Sequence, residues 1–510
     1  MTMRMPQFNQ GIYDKYNFDI NKTDKEHTIF LGVTGMGKTV ALTQFVEKKF
    51  DLCGNKIFDI WDGMRGENAM WLLPSKSKYW SEGRLDKYGR VWKATGHPTN
   101  LLFPVNNKIP NRLPSSARPF TIPLTKLDFK DIMAVVGTDI SKNEQTLWNV
   151  LQDEYIDKNT TAPELSKLIS DLPKMKIRSK EGYDIPKISP HGASIIFRAI
   201  ERLKKHKIIT SENCETSINL LDEYKDKNKI TSLVLTHCES WLAYWIAQWF
   251  IRNIFEELKN NKHKRPTTLV LREMWELTPK EIVMPQQAII RDAVNQILVQ
   301  GIRSANLSVA ADTQMASQIA VARSQFTKTV IFRTKYSEDI DNIMTEESKS
   351  YFSVQDRRAI PILDVGNCFV FTNKGRWKIH AKLPRCRVKR GEESLFDIWE
   401  KEYSRGGFST PWVDIKEQLR KVDEDYNKGV VINKSKINTE KVLEHEKEIK
   451  KTFKNKKELL EERDKVIDDH MLEIIRAQAH KDAQEDLEGE DDDESHYDPS
   501  INLDISLPTK

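Results

Sequence analysis

Short apolar runs alternate with amphipathic stretches from residue 27 to about residue 385. Residues 28–31 and 55–62 are β-prone runs, and residues 40–49 between them carry apolar side chains at helical spacing. A strand, a helix and a strand at this spacing predict a βαβ unit with parallel strands and a right-handed crossover. Residues 67–118 show no regular pattern. Further strands are predicted at residues 120–124, 230–236, 267–271, 307–314 and 329–333, and a closing hairpin at 368–380.

Between residues 121 and 230 the apolar periodicity is mostly helical, which predicts a helical insertion within the order of the sheet strands. A long helix is predicted at residues 239–260, where Trp241, Trp245 and Trp249 recur at i, i+4 spacing. An aromatic stripe of this kind is more typical of core packing than of a ligand platform.

The predicted fold is α/β: a P-loop core with a mostly parallel central sheet, a helical insertion and a charged C-terminal extension. Residues 436–484 have one apolar position per heptad, which favours a single charged helix over a coiled coil. The acidic stretch at 485–497 predicts disorder. The predicted segments are a lead-in (1–26), the first core part (27–120), the insertion (121–230), the second core part (231–385), a linker with a helical extension (386–435), the charged helix (436–484) and the acidic tail (485–510).

Composition predicts a soluble, cytoplasmic protein. Hydrophobic residues make up 39% of the chain and charged residues 30%, and no apolar run approaches the roughly 18 to 20 residues needed to span a bilayer. The first residues lack the apolar core of a signal peptide. The five cysteines are scattered without a C-x-x-C pair, so they suggest buried thiols rather than a zinc site. A net charge of +5 neither requires nor excludes a nucleic-acid partner.

Residues 32–39 read G-x-x-x-x-G-K-T between a predicted strand and a predicted helix, which is the setting of a phosphate-binding loop. Its glycines let successive backbone N–H groups point at an anion, and the helix adds its positive N-terminal end. Lys38 is predicted to contact the β- and γ-phosphates, and the Thr39 hydroxyl to ligate Mg²⁺. The predicted ATP contacts are Gly32, Val33, Thr34, Gly35, Met36, Gly37, Lys38, Thr39 and Val40.

Hydrolysis also needs a carboxylate at the end of a strand next to the P-loop strand. The run at 267–271 followed by Glu273 fits, and Glu273 is the predicted catalytic base. Arg272 stands where the usual pattern has a metal-side Asp, and a cation there would repel Mg²⁺. Either Arg272 turns away and another acid helps the metal, or turnover is weak. The candidate acids are Glu276, Asp59 and Asp62, although a solvated strand end is the alternative for the two aspartates.

Two further polar residues are candidates around the strand at 307–314. Gln314 at its polar end could sense the γ-phosphate or orient the attacking water. Arg303, just before this strand, could reach the nucleotide of a neighbouring subunit as an arginine finger, or could be a helix cap or surface charge.

Together these motifs resemble the HerA–FtsK superfamily of ring-forming, DNA-pumping ATPases, and most closely its HerA-like and conjugation-type members. The resemblance covers roughly residues 27 to 385 in matching order. It is carried by GVTGMGKT, FTIPLTKLDFKDI with EQTLWNVLQDEY, TTLVLREMWELTP, GIRSANLSVAADTQ, TKTVIFRT and VGNCFVF.

The resemblance implies a RecA-like core, a homohexameric ring and ATP-driven movement of double-stranded DNA through a central pore. It assigns Lys38 and Thr39 to phosphate and Mg²⁺, Glu273 to catalysis, Gln314 to sensing and Arg303 to the finger in trans. A nuclease or an assembly factor is a candidate partner, although the N-terminal barrel of some family members is not expected in this sequence. Basic stretches at 204–207 and 382–390 could contact DNA phosphates or be solvated charge.

Two alternatives stay open. One is an ATP-binding assembly switch with little hydrolysis, which Arg272 would favour. The other is a motor that acts on single-stranded nucleic acid or on protein.

Overall fold

The structure is a computed structural model of the 510-residue chain. It describes residues 26–80, 83–85, 91–105, 112–137, 142–172, 190–261, 265–321, 325–343, 354–372, 377–382, 386, 388, 401 and 412–427. Nearly all of the predicted lead-in, the charged helix at 436–484 and the acidic tail lie outside the described residues. Most of the basic stretch at 382–390 also lies outside them.

A ten-stranded sheet forms the centre of the protein. Its order is β15-β14-β13-β1-β12-β11-β2-β10-β5-β7. Every pair from β13 to β7 is parallel. At the other edge, β14 pairs in antiparallel fashion with both β13 and β15. These strands are β1 (Thr28–Leu31), β2 (Lys56–Trp61), β5 (Thr99–Pro104), β7 (Ala117–Phe120), β10 (Ile230–Leu233), β11 (Thr267–Leu271), β12 (Leu307–Thr313), β13 (Lys328–Ile331), β14 (Asn367–Thr372) and β15 (Trp377–Lys382). The predicted mostly parallel α/β fold and its closing hairpin are confirmed.

The remaining strands form three two-stranded ladders: β3 (Arg84–Leu85) with β4 (Val91–Trp92), β6 (Arg112–Pro114) with β16 (Trp412–Asp414), and β8 (Ile122–Pro123) with β9 (Ile209–Thr210). The helices are α1 (Lys38–Asp51), α2 (Phe129–Val136), α3 (Lys142–Glu154), α4 (Ala162–Asp171), α5 (Pro190–Lys205), α6 (Leu220–Lys225), α7 (Ser240–Asn260), α8 (Met274–Leu277), α9 (Pro285–Gln296), α10 (Ile302–Ala305), α11 (Ser337–Ile343), α12 (Val354–Ala359) and α13 (Lys416–Asn427). A π-helical turn at Ile297–Gly301 joins α9 to α10. Among the described residues, none of these helices is both long and apolar enough to cross a bilayer.

Helices cover both faces of the sheet, so its strands are apolar on both sides. Along β11, Leu269 and Leu271 belong to the larger core cluster, whereas Val270 between them belongs to a second cluster that contains Phe45 of α1. This division follows the two-residue period of a strand. The larger cluster also contains Trp148 of α3, so the predicted helical insertion shares its core with one face of the sheet.

The tryptophan stripe of α7 packs into this larger core, as predicted. Trp245 and Trp249 are fully buried, with relative exposures of 0% and 1%. Their indole N–H groups donate to the backbone carbonyls of Asp131 and Lys126, at 2.8 and 3.1 Å. Each indole thus buries its ring and satisfies its one polar atom.

Two strand predictions are wrong in detail. The stretch at 67–118, predicted to be irregular, contributes β5 and the first half of β7 to the central sheet. Residues 101–103 are fully buried, so they lack the alternation of apolar and polar residues by which a strand is recognised. The strand predicted at 120–124 is instead divided at Thr121, because β7 ends at Phe120 and β8 pairs with β9 in a separate ladder.

Part of the segment predicted as a linker and helical extension packs back onto the core. Ile415 before α13 is buried in a small cluster with Leu113 and Phe103. On α13, Asp425 accepts a hydrogen bond from the Ser211 hydroxyl at 2.9 Å. The described residues 412–427 are therefore part of the folded core rather than a free linker.

Candidate active site

The loop after β1 has the backbone of a phosphate cradle. Gly32, Gly35 and Gly37 have φ angles of 145°, 79° and 98°, a region that favours glycine. The Val33 N–H donates to the Arg333 carbonyl at 2.8 Å, which ties the loop to the end of β13. A Cβ on Gly32 would stand 2.8 Å from the Cβ of Phe332, so this position has no room for a side chain.

Helix α1 begins at Lys38, directly after Gly37, and no side chain caps its N-terminus. Its first N–H groups and its dipole therefore remain available for an anion. The Lys38 ammonium is buried and donates to the Val33 carbonyl at 3.0 Å. Burial lowers the pKa of Lys38, opposed by the negative charges of Asp312 and Glu273. The amine therefore lies against the backbone of the phosphate loop.

Strand β11, which leads to Glu273, is not the neighbour of β1. Strand β12 lies between them and pairs in parallel with both. The prediction of direct adjacency is wrong, because the crossover after β11 returns the chain to the gap beside β1. The polar residues that end β12 consequently stand between the P-loop and Glu273.

Asp312 on β12 is a candidate site residue that the sequence patterns missed. Its Oδ2 lies 3.4 Å from the Thr39 hydroxyl, and its Oδ1 accepts the Glu273 backbone N–H at 2.7 Å. Burial, and then the charge of Glu273, raise the pKa of Asp312 to about 6. A hydroxyl and a carboxylate are hard oxygen ligands of the kind that Mg²⁺ takes in nucleotide sites, so these residues fit the metal.

Arg272 donates its hydrogen bonds to other groups than this oxygen pair, although its charge acts on Asp312. It is 2% exposed and forms an ion pair with Asp59 at 3.2 Å, and it donates to the Thr43 hydroxyl at 3.3 Å. The Trp71 indole N–H donates to the same Asp59 oxygen at 2.7 Å. Thr39 and Thr43 are one helical turn apart, so Asp312 lies under the first turn of α1 and Arg272 under the second.

The three acids proposed to help the metal each have partners other than Thr39. Asp59 is paired with Arg272, while buried Asp62 accepts the Asn68 backbone N–H at 3.0 Å and so shapes the loop after β2. Glu276 accepts from the Trp61 indole at 3.3 Å. Asp312 is the candidate carboxylate in their place, because its Oδ2 lies 3.4 Å from the Thr39 hydroxyl.

The Glu273 backbone lies in the left-handed region, with φ 46° and ψ 50°. A non-glycine residue held there is strained, and such strain is concentrated at functional sites. The position directs the carboxylate toward the P-loop, where it is 5% exposed as a residue. Its Oε2 accepts from the Trp275 indole at 3.0 Å, and its Oε1 accepts from the Gln314 amide at 2.6 Å.

Gln314 connects the P-loop to the predicted base. Its Oε1 accepts from the Thr34 hydroxyl at 2.6 Å, while its Nε2 donates to Glu273. A phosphate that contacts Thr34 would therefore affect the hydrogen bond of Glu273 through the Gln314 amide. The structure thus brings together the predicted Lys38, Thr39, Glu273 and Gln314.

Arg303 does not join this group. It is exposed on α10, at the start of β12, whereas the P-loop meets the other end of that strand. Seven strand residues separate the two ends by about 20 Å. Arg303 therefore cannot reach the phosphate cradle of its own chain, and its role in trans stays a prediction.

The basic stretch at 204–207 is partly neutralised by acids. Lys204 pairs with Glu201, Lys207 pairs with Asp423, and the His206 ring lies 3.8 Å from a Glu239 oxygen. Lys205 is exposed. The solvated-charge interpretation thus fits most of this stretch.

No protein-family model and no curated protein matches the chain. Among solved structures it is similar to the bacterial conjugative coupling protein TrwB, at 14% identity over 72% of this chain and 88% of that chain, with a TM-score of 0.43. VirB4 of Thermoanaerobacter pseudethanolicus is 14% identical over 78% of this chain and 98% of its own, with a TM-score of 0.47. The genome packaging NTPase B204 from Sulfolobus turreted icosahedral virus 2 is 9% identical over 71% and 98%, with a TM-score of 0.28.

Proposed function

We propose that the protein is a Mg²⁺-dependent ATPase that drives the movement of double-stranded DNA as a homohexameric ring. The observation that carries the ATPase is the convergence of four groups at the carboxyl edge of one parallel sheet: the P-loop with Lys38, the Thr39–Asp312 oxygen pair, Glu273 and Gln314. Ligands of open α/β sheets bind at this edge.

Each group has a distinct part in hydrolysis. The P-loop N–H groups and Lys38 hold the phosphates, while Thr39 and Asp312 would hold Mg²⁺, directly or through water. When bound, Mg²⁺ neutralises charge on the β- and γ-phosphate oxygens. Glu273 accepts a proton from water as the water oxygen attacks the γ-phosphorus, and the bond to the β–γ bridging oxygen breaks. Gln314 orients that water and links the phosphate loop to Glu273 through its two hydrogen bonds.

The position of Arg272 favours an ATPase over an assembly switch with little hydrolysis. The switch hypothesis assumed that Arg272 would repel the metal. Its guanidinium pairs with Asp59, and we assign the metal-side carboxylate to Asp312, which lies 3.4 Å from the Thr39 hydroxyl. In this proposal the carboxylate comes from β12 rather than from the end of β11, so Arg272 does not leave the site without an acid.

The DNA substrate and the ring are supported by the ordered resemblance of the motifs to the HerA–FtsK superfamily. Arg303 is exposed and lies too far from the phosphate loop of its own chain to serve it, so we propose that it acts on the nucleotide of a neighbouring subunit. Lys38, Thr39, Asp312, Glu273 and Gln314 serve the nucleotide within the chain.

Displacement of a triplex-forming oligonucleotide from long double-stranded DNA tests the movement directly. We expect ATP-dependent displacement by the wild-type protein and none by Lys38→Ala. Mass photometry with a non-hydrolysable ATP analogue should show hexamers. Displacement only of an oligonucleotide annealed to single-stranded DNA, or no displacement despite DNA-stimulated hydrolysis, would contradict translocation on duplex DNA and favour the single-stranded or protein substrate.

A further inference from the structure

Arg65 is a further cationic residue at the site, and it contacts the candidate base Glu273 from the end of β2, the strand next to β11. Arg65 lies in the loop that follows β2, and its Nη1 is 3.0 Å from Oε1 of Glu273. This is the same oxygen that accepts the Gln314 amide at 2.6 Å. The Arg65 side chain is 48% exposed, whereas that of Glu273 is only 7% exposed. One end of the ion pair is therefore fixed in the protein, and the other is free to move.

The loop backbone is shaped to hold Arg65 in this position. Gly63, Met64 and Gly66 have φ angles of 69°, 60° and 77°, so three of four successive residues are left-handed. A Cβ on Gly63 would lie 3.1 Å from Oε2 of Glu276 and 3.5 Å from both Arg65 Nε and Glu273 Cγ. Such a backbone is costly for Met64, and it persists only where the surroundings enforce it.

The charge of Arg65 acts across the phosphate position. It contributes to lowering the pKa of Lys38, after the larger effect of burial, and it opposes the rise in the pKa of Glu276. Arg65 forms an ion pair with Glu273, and its charge also acts on Lys38. Lys38 and Glu273 are proposed to contact the γ-phosphate and the attacking water, so the Arg65 guanidinium lies next to the proposed position of the γ-phosphate.

We propose that Arg65 senses the γ-phosphate within its own chain: it pairs with Glu273 before a nucleoside triphosphate binds and exchanges this partner for the γ-phosphate on binding. The inference rests on the proposed ATPase function and adds a catalytic residue to it. The exchange frees Oε1 of Glu273 to accept a hydrogen bond from the attacking water. Hydrolysis thus depends on the γ-phosphate for activation of the base.

The chemistry of the groups favours this exchange. A guanidinium matches the spacing of phosphate oxygens with two parallel hydrogen bonds, and the γ-phosphate carries more negative charge than one carboxylate. In the structure Oε1 accepts from both Arg65 and Gln314, and Oε2 accepts from Trp275. Removal of Arg65 from this set opens the side of Glu273 that faces the nucleotide.

Discrimination between ATP and ADP separates this role from a structural one. We expect Arg65→Gln to weaken ATP binding about 10- to 100-fold and ADP binding less than about 3-fold, in line with loss of a charge-assisted pair. Arg65→Lys, which keeps the charge and loses the fork, should fall between. The matched control is Arg118→Gln, since Arg118 on β7 is 39% exposed and pairs with buried Glu223 away from the P-loop. It should leave both affinities unchanged.

A double-mutant cycle tests the exchange itself. Glu273→Gln should free Arg65 and tighten ATP binding without changing ADP binding, and Arg65→Gln should abolish that gain. Equal losses of ATP and ADP affinity in both Arg65 variants, or a gain in Glu273→Gln that persists without Arg65, would overturn the inference. If wild-type protein binds neither nucleotide, the ATPase proposal fails as well. Wild-type hydrolysis with unaltered ATP selectivity in Arg65→Gln would overturn the inference alone.

Discussion

The Thr39 hydroxyl and the Asp312 carboxylate lie 3.4 Å apart, although 273 positions separate them in the chain. One belongs to the first turn of the P-loop helix and the other to the strand beside the P-loop strand. Their approach makes a hard-oxygen site beneath the phosphate cradle.

Asp312→Asn should weaken Mg²⁺ binding to the nucleotide complex about 10- to 100-fold, because the amide keeps the shape and removes the charge. A Mg²⁺ titration of fluorescent ATP-analogue binding measures the change. Asp62→Asn is the control, since Asp62 is a buried carboxylate at the same edge of the sheet that accepts from Asn68. Equal Mg²⁺ affinities for wild type and Asp312→Asn would remove Asp312 from the metal site.

The Arg272–Asp59 pair should be a stability element rather than part of the chemistry. Arg272→Met leaves the buried Asp59 carboxylate without its cation, and we expect unfolding in urea to become easier by about 3–5 kcal/mol. Arg272→Asp, which restores the usual acid, should be no more active than wild type because it adds a charge beside Asp59 and Asp312. A stable Arg272→Asp protein with faster turnover would show that Arg272 limits the site.

The P-loop, Asp312 and Arg272 show how far prediction from the sequence reaches. The P-loop is a local pattern, so residues 32–39 and the roles predicted for Lys38 and Thr39 follow from spacing alone. Asp312 depends instead on which strand is adjacent to β1, and strand order is set by long crossovers that no local pattern records. For the same reason, the direction in which Arg272 turns could be posed only as alternatives.

The burial of a strand on both faces sets a second limit. Residues 101–103 of β5 lack the alternation by which a half-buried strand is recognised, and Pro98 and Pro104 flank them. By contrast, the periodic helix at 239–260 and the hairpin at 368–380 were predictable, since each is defined by contacts close in sequence.

Two glycines of the P-loop should respond differently to alanine. In Gly32→Ala the new Cβ would meet Phe332 Cβ at 2.8 Å and the Arg333 carbonyl oxygen at 3.0 Å, so the loop must move away from β13. In Gly35→Ala nothing lies within 4 Å, and only the left-handed backbone is disfavoured, by about 1–2 kcal/mol. Calorimetry with ATP should show the greater loss of affinity for Gly32→Ala. A greater loss for Gly35→Ala would contradict the packing seen at Gly32.

The contribution of His27 to stability should fall in mild acid. Burial lowers the pKa of this imidazole to about 4, and its Nδ1 accepts the Val309 N–H at 3.0 Å. Below the ordinary histidine pKa of about 6.5 the unfolded chain takes up a proton that the folded chain does not take up until about pH 4. This contribution to the free energy of unfolding should decrease by about 2 kcal/mol between pH 7.5 and pH 5, whereas buried carboxyls with raised pKa values, such as Asp312, act in the opposite direction.

His27→Asn supplies the comparison, because it removes the titrating ring and keeps an acceptor. Urea unfolding at both pH values should show a smaller decrease in the variant than in wild type, by about the same 2 kcal/mol. Parallel pH dependences for the two proteins would mean that His27 is not the group responsible.

ATP hydrolysis in the presence and absence of long double-stranded DNA tests the central claim most directly, with Lys38→Ala and Glu273→Gln measured alongside the wild type. We predict strong stimulation by DNA in the wild type and its loss in both variants, with ATP binding retained in Glu273→Gln. Tight ATP binding by the wild type without turnover under any condition would contradict the account, and would make the protein an ATP-dependent assembly switch.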